Sequence, residues 1–379
     1  MYNKEKYITF VVMLFILLIL SACVPDWHET GAPPPNPLQI TQRPATLGNR
    51  SFLIMESGDV WAWGGIQDTR DFVERPNPVK ILENILMMST TSGDQRLAIT
   101  SDNTLRVWGR RWRGVVDWLR PISRYDSVFV MDDVIYVSTE GSHTMFITND
   151  HVLWGLGQNN YGQLGNGTTT DSSDPIKIMG NVVSASTSNQ RSMALTLDGA
   201  VWAWGQDHGH TPVKIFEDAI AIDSNSSLMM MIRYDGSLWG MGNNNNGRIG
   251  DGTTRRRRTP VHIMDNITSV SVGTSHTLAI TIDGKLWAWG RNDYGQLGDG
   301  TMINRHRPTF IIDNVIDASA IGLSSLAITA DYNVWGWGDN TNGQLGIGVF
   351  SGEWERRRQM FDEFAWTRPI KIMEYIGTS

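Results

Sequence analysis

The chain has 379 residues, 41% of them hydrophobic and 19% charged, with a formal net charge of −7. Single cores seldom grow beyond about 250–300 residues, so this length implies either several domains or a repeat architecture. The acidic balance argues against a nucleic-acid binder, and a lone cysteine excludes an internal disulfide framework.

In chain order, residues 1–22 read as a signal peptide. Lys4 and Lys6 form a positive end, and the apolar run over residues 8–20 fits a signal-peptide core but falls short of the roughly 20 residues of a spanning helix. The tetrad Leu20-Ser21-Ala22-Cys23 resembles the lipobox of bacterial lipoproteins, where cleavage leaves the cysteine carrying acyl chains. The expectation is therefore lipidation of Cys23 and an extracytoplasmic chain, lipid-anchored to the bacterial membrane; a plain secreted protein and an uncleaved anchor are the alternatives. Loss of Lys4, Glu5 and Lys6 takes the net charge from −7 to −8. Residues 23–44 are proline-rich and lack an apolar period, which suits a semi-stiff linker.

From residue 45 to 379 the chain repeats. Aligned on the glycine that ends each Trp-bearing strand, the series is Gly64, Gly109, Gly157, Gly205, Gly242, Gly290 and Gly338, with intervals of 45, 48, 48, 37, 48 and 48. That period suits propeller blades. Each unit opens with an apolar strand such as Thr277-Leu278-Ala279-Ile280, and several turn at Asp-Gly: Asp198-Gly199, Asp235-Gly236 and Asp283-Gly284. The return strand alternates, as in Leu286-Trp287-Ala288-Trp289, so its side chains serve both faces of a blade. Two tryptophans stand in this strand at 61 and 63, 202 and 204, 287 and 289, and 335 and 337; Trp108, Trp154 and Trp239 stand alone.

Four units continue into a glycine loop, clearest at Asn159-Asn160-Tyr161-Gly162-Gln163-Leu164-Gly165 and Asn292-Asp293-Tyr294-Gly295-Gln296-Leu297-Gly298, and weaker at residues 244–253 and 340–348. Its acidic residues are few for a calcium loop and vary between copies. A proline-led strand follows, as in Pro175-Ile176-Lys177-Ile178, and proline suits an outer edge. Because the chain enters at the apolar strand over residues 51–55 and leaves at the proline strand over residues 369–372, the fold class expected is all-β: a seven-bladed β-propeller with one blade closed by both termini.

These units resemble the regulator of chromosome condensation repeat family, whose repeats read as an apolar strand, Asp-Gly, a strand ending in Trp-Gly, then Asn-x-x-Gly-Gln-Leu-Gly-x-Gly. The resemblance covers nearly everything after residue 45. It implies a seven-bladed propeller that works by presenting a surface; the family includes a nuclear exchange factor for a small GTPase, a plant ultraviolet receptor and a secreted bacterial β-lactamase inhibitor. Shared fold does not carry function across such distances. Unit four departs from the pattern, running from Gly205 to Pro212 with no glycine loop, and unit two replaces the loop with an arginine-rich stretch.

No Gly-x-Ser-x-Gly, His-Glu-x-x-His or Gly-x-x-x-x-Gly-Lys motif is present, so no catalytic residue, cofactor or metal ligand is assigned. His143 and His276 occupy equivalent positions, which suits a repeated structural hydrogen bond, and His208 with His210 lie in a solvated loop. The connections after the Trp strands emerge on one face and carry a basic arc interleaved with tryptophan. Its residues are Arg110, Arg111, Trp112, Arg113, Trp118 and Arg120; Arg255, Arg256, Arg257 and Arg258; Arg305 and Arg307; and Trp354, Arg356, Arg357 and Arg358. Units three and four offer Asp171, Asp174 and Asp207 there instead. Arginine with aromatics is the usual make-up of binding hot spots, while solvated loops spread by repulsion would look the same in sequence. The reading is a monomeric, surface-anchored, non-catalytic lipoprotein whose partner is a protein or an anionic cell-envelope polymer, not nucleic acid. An inhibitor of a secreted enzyme is the narrower alternative, and a polysaccharide-active enzyme the one from another class.

Overall fold

Period-two alternation builds the blades. In the strand Leu286–Gly290, Leu286 and Ala288 face one side and Trp287 and Trp289 the other, and all are buried except Trp287, which is half-buried. The computed structural model describes residues 45–47, 50–55, 57–67, 72–90, 96–108, 127–140, 142–225, 227–341, 343–347 and 366–373. Within them lie seven antiparallel four-stranded sheets arranged as a propeller, each with its strands in sequence order. The blades span residues 45–82, 85–131, 134–179, 182–216, 219–264, 267–312 and 315–373. First strands of successive blades adjoin one another around the axis. Fourth strands form the rim, where Pro175, Pro212, Pro260 and Pro308 are found.

The hairpin between second and third strands needs one left-handed residue, and all seven blades supply it: Gly58, Asn103, His151, Gly199, Gly236, Gly284 and Tyr332 have φ between 60° and 81°. Gly199 shows the chemistry. Its N–H donates to the Thr196 carbonyl at 2.9 Å, and the Asp198 carboxylate accepts the Thr196 hydroxyl at 2.6 Å. One turn residue at positive φ after a right-handed pair matches the right-handed twist of the strands it joins.

The expected clasp of one blade by both termini is not what closes the ring. The C-terminal strand Ile370–Met373 pairs with Val334–Gly338 in blade seven, and Ala45–Leu47 pairs with Arg50–Ile54 in blade one, so every blade is contiguous in sequence. The reason is a short inner strand after each rim strand, such as Val182–Thr187, which carries no tryptophan or glycine to mark it. Between rim and inner strand the chain turns at one left-handed Asn or Asp: Asn84, Asp133, Asn181, Asp218, Asn266 or Asn314. The next N–H then docks on the previous hairpin, as where Val182 N–H donates to the His151 carbonyl at 2.9 Å.

At four of the blade junctions a glycine loop ties one blade to the next. The Gln163 carbonyl in blade three accepts the Trp204 indole N–H of blade four at 2.8 Å and the Ser192 hydroxyl at 2.7 Å. The Arg248 carbonyl does the same for Trp289 and Thr277, and the Gln296 carbonyl for Trp337 and Ser325. Blade seven's Gln344 carbonyl receives Trp63 at 2.9 Å and Ser51 at 2.6 Å, and this joins the last blade to the first. Leu53 and Trp63 pack there with Leu326, Ile328 and Val334. Each of these four indoles is fully buried, so an unpaired N–H would be costly.

Around the axis a second belt repeats. Ser89, Ser138, Ser186 and Ser271 each accept, through the side-chain oxygen, a backbone N–H from the next blade, at Thr139, Thr187, Ser224 and Ala320. Blade five places Asp223 in this position, and its carboxylate takes the Val272 N–H at 2.8 Å.

Candidate functional site

Antiparallel topology puts the hairpins and blade junctions on one face and the glycine loops on the other. Each loop folds around its first asparagine: buried Asn159 donates through Nδ2 to the carbonyls of Thr168 and Thr170, and its Oδ1 accepts the Leu164 N–H at 2.8 Å. Asn244 and Asn292 repeat the pattern. The loop glycines lie flat on the next blade's tryptophan; a Cβ on Gly165 would sit 2.6 Å from Trp204 Nε1.

The pattern breaks twice between blades four and five. Blade four's third and fourth strands, Val201–Gly205 and Gly209–Phe216, are joined by a tight turn in which Asp207 has φ 71°. Blade five carries Met241 where blades one, four, six and seven carry the clamped tryptophan. A cavity of about 320 Å³ opens between the two blades. Its floor holds Met229 and Met241, and its walls hold Arg191, Asp207 and His208 from blade four and Arg256, Arg257 and Arg258 from blade five.

The charges are arranged, not merely crowded. Asp207 is bridged by Arg191 and by Arg256, the latter at 2.9 Å, and Arg191 Nε also donates to the Gln206 carbonyl at 2.8 Å. Burial works against the Asp207 charge, but Arg191 and Arg256 hold its carboxyl below the ordinary range. Burial first, and then the Arg191 charge, push His208 below the usual imidazole value, so it is neutral near neutral pH. Arg257 is spent on Asp251 at 2.5 Å. Arg191, Arg256 and Arg258 therefore face one carboxylate, which leaves the cleft positive on a chain of net charge −7.

The other residues of the expected arc have different fates. Arg305 repeats the role of Arg257, donating to Asp299 at 2.7 Å. Arg307 is exposed, with its guanidinium over Gly252 of the preceding blade. Arg255 and Arg258 are exposed at the surface. Arg110, Arg111, Trp112, Arg113, Trp118, Arg120, Trp354, Arg356, Arg357 and Arg358 lie outside the described residues, as does Cys23. Asp207, set against the basic arc in the sequence reading, is bridged to it, and His208 is a half-buried wall of the cleft. Sequence reasoning missed Arg191, Met229 and Met241. The available signals were the interval of 37 and the methionine in the tryptophan position of the following unit.

His143 and His276 play the structural part expected of them. Ser192 gives its proton to the Gln163 carbonyl, so it must accept the Nε2–H of His143 at 2.7 Å; Ser325 treats His276 likewise at 2.8 Å. Burial pushes both imidazoles down to about 3, which keeps them neutral.

Residues 133–367 match the family model described as the RCC1-like domain. No curated protein matches the chain. Among solved structures, human WBSCR16 is similar at 18% identity, with 78% of this chain and 91% of that one covered and a TM-score of 0.64. Prp20p from Saccharomyces cerevisiae, studied for its binding to Gsp1p and histones, is 18% identical over 83% of this chain and 84% of its own, with a TM-score of 0.62. The same yeast protein bound to Kap60 gives 14% identity, coverages of 93% and 91%, and a TM-score of 0.68. At these identities the likeness is one of fold.

Proposed function

Because this chain belongs to the RCC1-like domain family, we propose that it is a non-catalytic binding propeller, tethered outside the bacterial cytoplasm by a lipid on Cys23, whose glycine-loop face engages a protein. The observation that carries the reading is the positive cleft between blades four and five, built on an acidic chain and flanked by exposed arginines. Prp20p, similar in fold, binds proteins, which supports a protein over an envelope polymer as the partner. The leader over residues 1–22 and the cysteine that follows it support the anchor, with residues 23–44 as the spacer.

Cross-linking on intact cells followed by a stoichiometric pull-down tests the reading. A single protein recovered in one-to-one ratio is expected, and cells fed a radiolabelled fatty acid should label the wild-type chain but not a Cys23→Ala variant. Recovery of wall polymer alone, or a wild-type chain that takes up no label, would refute the corresponding half. A polysaccharide-active enzyme would need a carboxylate pair, and Glu140 and Asp223 interact across the inner strands. Asp223 is already committed to the Val272 N–H, which favours a structural role; turnover of a wall polymer would reverse that judgement.

A further inference from the structure

The cleft is the place where a glycine loop would otherwise lie. After blades three, five, six and seven such a loop covers the next blade, pressing a backbone turn against the tryptophan and supplying a carbonyl to it. After blade four the loop is missing, the tryptophan is Met241, and the volume left is about 320 Å³. Two features are unlike a simple gap. Its floor is methionine, which adapts to the shape of an inserted apolar group. Its rim is arginine already seen to hold a carboxylate, since Arg256 and Arg191 both bond Asp207.

We infer that this cleft receives an acidic turn from a partner protein, with an apolar side chain seated on Met229 and Met241 and a neighbouring carboxylate paired with Arg256 and Arg258. The inference rests on the proposal that this face binds a protein. Arg256 gives one amino group to Asp207 and has further donors to offer, and Arg258 is exposed beside it. A small anion or an acidic polysaccharide would satisfy the rim but leave the methionine floor uncovered. A peptide turn satisfies both and repeats in trans what the loops of the other blades do within the chain.

The test is selection of a displayed random-peptide library on the immobilised full-length protein, followed by titration of the enriched peptides, made synthetically, against wild type and variants. Enriched peptides should share an acidic residue beside an aliphatic or aromatic one. Arg258→Glu, which breaks no ion pair among the described residues, and Met241→Trp, which fills the floor, should each weaken binding by about tenfold or more. Arg307→Glu, the same charge change on the next blade, should leave affinity within about twofold. The inference is overturned if nothing enriches, if the enriched peptides lack a carboxylate, if both cleft variants bind normally, or if inorganic phosphate or a polyuronate displaces the peptides at equal concentration. A partner protein captured on cells equally by wild type and both cleft variants would sink the cleft and spare the wider reading; capture of no protein would sink that reading itself.

Discussion

The indole N–H of Trp63 donates to the carbonyl oxygen of Gln344 at 2.9 Å, across 281 residues of sequence, and no covalent connection accompanies it between blades seven and one. The other six blade junctions have the chain running through them. Replacement of Trp63 by Phe should cost about 1–3 kcal/mol, because a buried carbonyl loses a partner and a cavity opens. Trp289→Phe, which removes the same bond inside the ring, should cost a similar amount in chemical denaturation. Native-state hydrogen exchange should separate the two: Trp63→Phe is expected to raise exchange first in blades one and seven, and uniform acceleration would argue against a weak seam there.

A glycine under each indole makes a second test. Gly298 has φ 81° and a Cβ there would sit 2.7 Å from Trp337 Nε1, so Gly298→Ala combines backbone strain with displacement of a buried ring. A loss of about 2 kcal/mol or more is expected. A Cβ on Gly180 would meet no atom within 4 Å, so Gly180→Ala should be neutral or slightly stabilising. Equal effects at the two sites would contradict the clamp.

Acid should loosen the hairpins together. Hydrogen bonds from Thr100, Thr148, Thr196, Ser237 and Thr329 hold the carboxyls of Asp102, Asp150, Asp198, Asp235 and Asp331 below the ordinary value of 3.8. Lys285, and then Thr281, hold Asp283 down to about 2. A carboxyl depressed in the folded state contributes stability above its unfolded pKa, and that contribution fades as pH falls through the folded one. Melting temperature should therefore drop from 3.8 toward about 2, and an Asp283→Asn variant should show a shallower decline.

Glu140 has the opposite sign. Burial, and then the Asp223 charge, push its carboxyl up to about 7. A group raised on folding stabilises most below its unfolded value of 4.5, and the benefit is lost as pH rises through 7. Glu140→Gln should raise the melting temperature above about pH 8 and change it little in mild acid. A variant equally affected at both ends would mean that folding leaves the proton affinity of Glu140 unchanged.

Much of this was legible in the residues. The period of 48, the Asp-Gly turns and the alternating tryptophan strands each obey a local rule, and the seven blades follow from them. Asp207 and the arginines from 255 to 258 were visible as charges on one face, but not as bridged partners, because 49 residues separate Asp207 from Arg256.

Local backbone geometry and side-chain periodicity act over a few residues, so the linear order of Asn, Gly and Trp was enough to dictate blade number, strand faces and hairpin turns. The frame of the blades, the seam at Trp63 and Gln344, and the cleft over Met241 were decided by packing between blades. Such contacts join residues far apart in the chain, and an inner strand like Val182–Thr187 earns its place only by what its neighbours bury against it.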